Sequence, residues 1–249
     1  MRPVQVLLTT VAVGSTLIGF QHTSPNIALA QTDAAAPSHV HYTKSADQDK
    51  PSPTGAIAPR LQNLGKHVFP VTTKSKEAQL FINQGFNLAF AFNHAEAARS
   101  FREAARLDPQ LAMAYWGQAV VLGPNINAAM DPNNEPTAHE LVQKAVALKS
   151  NASPREQAYI DALVERYSGK AADRQARDRA YAAAMRKLSE RFPDDLDAAA
   201  LYAESMMDLR PWGYWSRDGQ PYEGTAEVVS VIEKVIEKNP LHPGALHLY

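Results

Sequence analysis

An all-α fold made of packed helix pairs is what this sequence predicts, and three observations predict it. From Glu77 onward apolar residues recur at helical spacing, without the Val/Ile/Thr alternation that marks strands. Small residues, Gly85, Ala97 and Ala104 first among them, stand at set distances from bulky ones and ahead of a proline, Pro109. Hydrophobic residues make up 45% of the 249 positions, ample for a core, while 25 Lys and Arg nearly balance 26 Asp and Glu. That balance offers no basic face for nucleic acid and no acidic tail. The lack of cysteine removes disulfides, thiol nucleophiles and cysteine metal sites.

At the amino terminus Arg2 is a short positive region and Val4 to Phe20 an apolar run. Ala28 and Ala30 then form an A-x-A signal before Gln31. A secretory signal peptide over residues 1–30, cleaved between Ala30 and Gln31, is expected. The mature chain is then periplasmic or secreted and keeps no membrane span. A retained anchor is the competing reading, because the run nears the lower length limit for crossing a bilayer; its threonines, glycine and serine weigh against that. Residues 31–60, rich in Pro, Ala, Ser and Asp without periodicity, read as a disordered linker. His39 and His41 within it read as solvated, with a weak surface metal site as the alternative. The helical domain is expected over residues 61–249.

The first helix pair carries Gly85 in its first member, and its second member starts at His94 and turns Ala97, Phe101 and Ala104 inward. Pro109 ends it, since proline cannot continue the hydrogen-bond ladder. A second pair runs from Ala112, with Ala119 as its small residue, to a helix bearing Ala138, Val142 and Ala145. The third opens with Ser153 as cap, Pro154 in the first turn and Glu156 completing a capping box. Its partner brings Tyr181, Met185 and Leu188 and stops at Pro193. The fourth starts at Leu196 with Ala203 as its small residue, and closes with Val228, Ile232, Val235 and Pro240. A further helix opens at His242 and is apolar up to Tyr249, as expected of an array truncated at its carboxy terminus, with part of the functional protein beyond it.

These spacings resemble the tetratricopeptide repeat family, whose signature is W-x2-L-G-x2-Y, then A-x3-F, then P, with a period of about 34 residues. Gly85, Ala97, Phe101, Ala104 and Pro109 carry the match; Phe81 stands in for the tryptophan and Leu88 for the tyrosine. The resemblance covers about Glu77 to Tyr249. It implies an α-solenoid, in which antiparallel hairpins stack into a right-handed superhelix with a concave groove. It further implies a protein or peptide partner in that groove, binding without catalysis, and no cofactor.

Two long loops interrupt the second and fourth pairs, Gly123 to Thr137 and Arg210 to Thr225. Trp212, Tyr214, Trp215 and Tyr222 crowd the latter as rigid aromatic anchors for a ligand, or fold back on the helices as a plug. Asn125 and Asn127 either hydrogen-bond a ligand or cap turns, and Trp116 completes the candidate binding set. Asp131, Asn133 and Glu135 alternate as in a calcium loop but lack its glycine. The alternative function is a metal- or small-ligand-binding protein, as part of an enzyme or alone, that uses His67, His94, His242 and His247. Their spacing does not itself specify zinc, and His94 also suits a packed or capping role. Asp194, Asp195 and Asp197 read as charges complementing a helix dipole. No nucleophile elbow, H-E-x-x-H helix or phosphate loop is found, so no catalytic role is expected.

Overall fold

The computed structural model describes residues 55–249 and is all-helical, with nine α-helices and no strand among the described residues. The expected signal peptide, most of the expected linker, His39 and His41 lie outside the described residues. The helices are α1 (Lys76–Phe90), α2 (His94–Leu107), α3 (Ala112–Val120), α4 (Glu135–Ala147) and α5 (Pro154–Val164), followed by α6 (Arg174–Arg191), α7 (Leu196–Met207), α8 (Thr225–Lys238) and α9 (Pro243–Leu248). None of the helices is long and apolar enough to cross a membrane.

The helix starts follow from local chemistry. Ser75, Asn93 and Asp195 each accept a hydrogen bond from the backbone N–H three residues on, capping α1, α2 and α7. Ser153 and Glu156 form the reciprocal capping box at α5. Between α1 and α2 the chain turns through Phe92, whose φ of 56° places it in the left-handed region.

Helices adjacent in sequence pack on one another throughout, and α1 also touches α3, α3 touches α5 and α7 touches α9. The tightest approach centres on Phe101, which is fully buried. A Cβ placed on Gly85 would lie 2.5 Å from the Phe101 ring, and so would one on Gly117. Two helices therefore clamp the ring from opposite sides, each through the absence of a side chain. Ala97, Ala104, Ala119 and Ala203 are likewise fully buried, and exposed Pro109 follows the end of α2.

One contact departs from nearest-neighbour stacking: α1 also meets α9, so the first and last helices touch. Beside that contact lies a strap, residues 55–75, which has no regular structure. Buried backbone groups need partners, and amide side chains at helical spacing along α1 supply them. Gln79, Asn83 and Gln84 accept from the N–H groups of Val71, Phe69 and Leu61, and Asn87 donates to the carbonyl of His67. Farther out, Ile57 donates to Glu103 and Thr72 to Glu156. Phe69 pins the strap, stacking on Phe86 at 3.7 Å with Trp116 and Tyr159 around it.

Candidate metal centre

The strap, α7 and α9 each bring one polar side chain to a common point. His67 is held two residues before the Phe69 anchor, with its own carbonyl bound by Asn87 at 3.1 Å. Asp197 lies in the first turn of α7, just inside the Asp195 cap. His242 is the N-cap of α9. His67 Nε2 stands 2.9 Å and His242 Nε2 3.2 Å from Asp197 Oδ1, and the imidazole centroids are 5.1 Å apart. Side-chain exposure is 10% for His67 and Asp197 and 1% for His242.

The directions of these groups decide what the cluster can do. Despite the short distances, His67 Nε2, His242 Nε2 and Asp197 Oδ1 form no hydrogen bond; all three are buried without a partner. At such separations the failure is one of angle: the ring nitrogens are near the oxygen without aiming at it. A charge-assisted imidazolium–carboxylate bond would aim its N–H at the oxygen. Donors sharing an ion at about 2.0–2.2 Å from each are instead neighbours at about 3–3.5 Å, each directed at the ion. The 3.2 Å separation of His242 from Asp197 falls in that range and the 2.9 Å of His67 just short of it, so it is the unmet hydrogen-bond angles that favour the second arrangement.

Electrostatics agrees with a deprotonated oxygen ligand. Burial alone would raise the Asp197 carboxyl, but the two imidazoles at ion-pair distance, His242 first and then His67, more than offset it through polar contact and charge and hold it below its ordinary value, although neither meets strict hydrogen-bond angles. The wall behind the rings is apolar: Phe90 presents an edge to His67 and to His242, each at 5.6 Å between centroids. Gly244 lets α9 reach that wall, for a Cβ there would come within 2.7 Å of the Phe90 ring.

One contact opposes an ion. Ala245 N–H donates to His242 Nδ1 at 3.2 Å, and metal at Nε2 moves the ring proton to Nδ1, so this cap must give way. A side-chain N-cap is worth about 1 kcal/mol, whereas structural zinc binding is worth about 10–16 kcal/mol. Even a small fraction of that energy would offset the cap.

Of the four histidines singled out by the sequence, two meet at this site and two do not. His247 contacts the Phe90 carbonyl at 2.6 Å through Nδ1, and His94 is buried with Nδ1 3.3 Å from the Asn125 amide. Asp197 is the member of this cluster that the sequence reasoning missed, having been grouped with Asp194 and Asp195 as helix-dipole charges. The signal was its place on α7: Leu201 and Ser205, four and eight residues on, are buried on the same stripe.

The candidate binding residues separate in the same way. Trp116 is core and not groove surface: it is fully buried and donates its indole N–H to the Tyr159 carbonyl at 2.9 Å. Asn125 is a turn former, its Oδ1 accepting from the backbone of Asn127 and Ala128, while Asn127 is exposed. Glu135 turns inward to Arg174 and the Ser168 N–H, away from any calcium loop. In the second loop Trp212 is 72% and Trp215 53% exposed, with Tyr222 at 41%; only Tyr214 packs against the helices. Compared with protein-family models, curated proteins and solved structures, the chain matches none.

Proposed function

We propose that this chain is a helical-repeat protein of tetratricopeptide type that binds a first-row divalent metal ion between His67, Asp197 and His242. The observation that carries this reading is the meeting of three buried polar atoms at ligand spacing with no hydrogen bond among them. Two imidazoles and one carboxylate form a borderline donor set, suited to zinc, ferrous iron or cobalt and not to calcium or magnesium. Supporting the repeat assignment are the successive helix hairpins and the small residues at their crossings. An exported location, expected from the amino-terminal segment, belongs to the same reading.

Isothermal titration of the chelator-stripped protein with Zn2+ and Co2+ tests it, with one ion per chain expected. Asp197→Asn and His242→Ala should each weaken binding beyond the about 10–100-fold seen when only a supporting residue is lost. Binding that both variants leave intact would place the ion elsewhere and remove the proposal.

The exposed tryptophans favour a second role, in which the Arg210–Thr225 loop contacts a protein or peptide partner. Trp212 has a φ of 60° and is exposed with Trp215, while Arg210 lies over the Tyr222 ring at 4.6 Å. A stoichiometric partner recovered by pull-down, and lost on Trp212→Ala with Trp215→Ala, is the expected result.

A further inference from the structure

The coordinating atoms are themselves buried, yet their residues border open space from which an outside donor could approach the ion. All three residues line a cleft of about 820 Å3 bounded by the strap, the start of α5, the α6–α7 turn and the α8–α9 turn. Small-molecule sites commonly span about 300–1,000 Å3, and an ion with three protein ligands keeps at least one position for an outside donor. A donor entering from the cleft would take it.

The charges in the cleft wall indicate what that donor carries. Each carboxylate there already has a basic neighbour: Asp195 binds Arg155, Asp194 faces Lys238 at 3.6 Å, and Asp197 has the two imidazoles. Arg155 is further fixed by the Pro70 carbonyl. Lys66 and Arg191 line the same cleft, are exposed, and have no acidic partner among the described residues. Together with the ion they leave the cleft with uncompensated positive charge, Arg191 lying over the Phe192 ring at 5.1 Å. A cationic ligand would be repelled and a neutral one would leave that charge unmatched.

We propose that the cleft takes a small organic oxyanion, a carboxylate or a phosphate ester, which gives one oxygen to the ion and sets its remaining negative charge against Lys66 and Arg191. This inference rests on the metal reading above. It adds the chemical class of the ligand and makes the centre an open one, at which the ion polarises a bound oxygen.

The test uses the full-length protein loaded with Co2+, whose visible bands respond to a change in the ion's own ligands. Succinate and inorganic phosphate are titrated separately, and a saturable band shift with at least one is expected. The variant Lys66→Gln with Arg191→Gln should weaken that shift by about tenfold, the combined effect expected of two exposed charge contacts, while Co2+ affinity stays within about twofold. A shift with succinate alone identifies a carboxylate ligand, and one with phosphate alone a phosphate ligand. If neither oxyanion moves the bands, or the double variant responds like the parent, the ligand assignment is overturned and the metal centre stands. Failure to take up Co2+ at all overturns both.

Discussion

At the scale of single residues, the inner face of α7 carries two further acids beyond Asp197, at Glu204 and Asp208. Asp208 Oδ2 accepts from the buried Arg166 at 2.7 Å, while its Oδ1 has no partner. Loss of solvent and the neighbouring Asp208 push the Glu204 carboxyl from 4.5 up to about 8, and desolvation raises Asp208 as well, against the pull of Arg166. The folded protein thus keeps a proton on Glu204 that the unfolded chain releases near pH 4.5. A raised folded value means that stability falls as pH rises from about 4.5 to about 8, and changes no further above that. Urea unfolding at a series of pH values should show this decline, and Glu204→Gln, of the same shape without the titration, should make it shallower and leave the part that Asp208 contributes; an unchanged slope would falsify the assignment. Packing sets a second residue-scale expectation at Gly85 and Gly117. Alanine there gains about 1 kcal/mol of helix propensity, but its Cβ would sit 2.5 Å from a ring clamped on both sides. Overpacking of that kind costs about 1–3 kcal/mol. Net destabilisation is expected for either Gly→Ala variant in thermal melts, and a rise in Tm would show that Phe101 can move aside.

At the scale of elements, α5 shows how a cap can hold more than its own helix. Ser153 and Glu156 close the capping box, and the same Glu156 carboxylate binds both the N–H and the hydroxyl of Thr72 in the strap. Ser153→Ala should cost about 1 kcal/mol through the cap alone. Glu156→Gln should in addition expose the strap near Thr72, read as faster amide hydrogen exchange there with α1 and α2 unchanged; equal exchange in both proteins would show that the strap does not depend on this carboxylate. The capping box was legible in the sequence because its parts lie three residues apart, and the helix pairs were legible because their spacing repeats. The strap was not, since its partners are amides on α1, whose side chains look like an ordinary polar face. The same limit hid the metal centre: His67, Asp197 and His242 come from three separate elements, so no local spacing links them. Asp197 also resembled its neighbour Asp195, which does cap the helix. Trp116 and Asn125 failed as binding residues for the converse reason: aromatic and amide side chains suit a core or a turn as well as a groove, and only burial separates the two.

At the scale of the whole described chain, the candidate ion lies beside the contact between the first and last described helices. In a simple repeat stack each unit touches its neighbours alone, yet here α1 touches α9, and the strap before α1 supplies His67 while the cap of α9 supplies His242. An ion between them would therefore join the strap to α9, with Asp197 of α7 as the third tie. Because the unfolded chain cannot hold these distant groups together, binding energy becomes folding energy. At a free ion concentration of 100 Kd this amounts to about 2.7 kcal/mol, or a rise of about 5–10 °C in Tm for a chain of this size. Melts of the protein with excess Zn2+ and with a chelator should differ by that amount, and His67→Ala should abolish the difference while the chelated proteins melt alike to within the modest loss of a partly exposed side chain. Hydrogen exchange should localise the gain to the strap and to α9. If the ion instead raised stability evenly, or protected neither the strap nor α9, it would be binding without drawing them together, and the contact between α1 and α9 would have to rest on Gly244, His242 and His247 against Phe90.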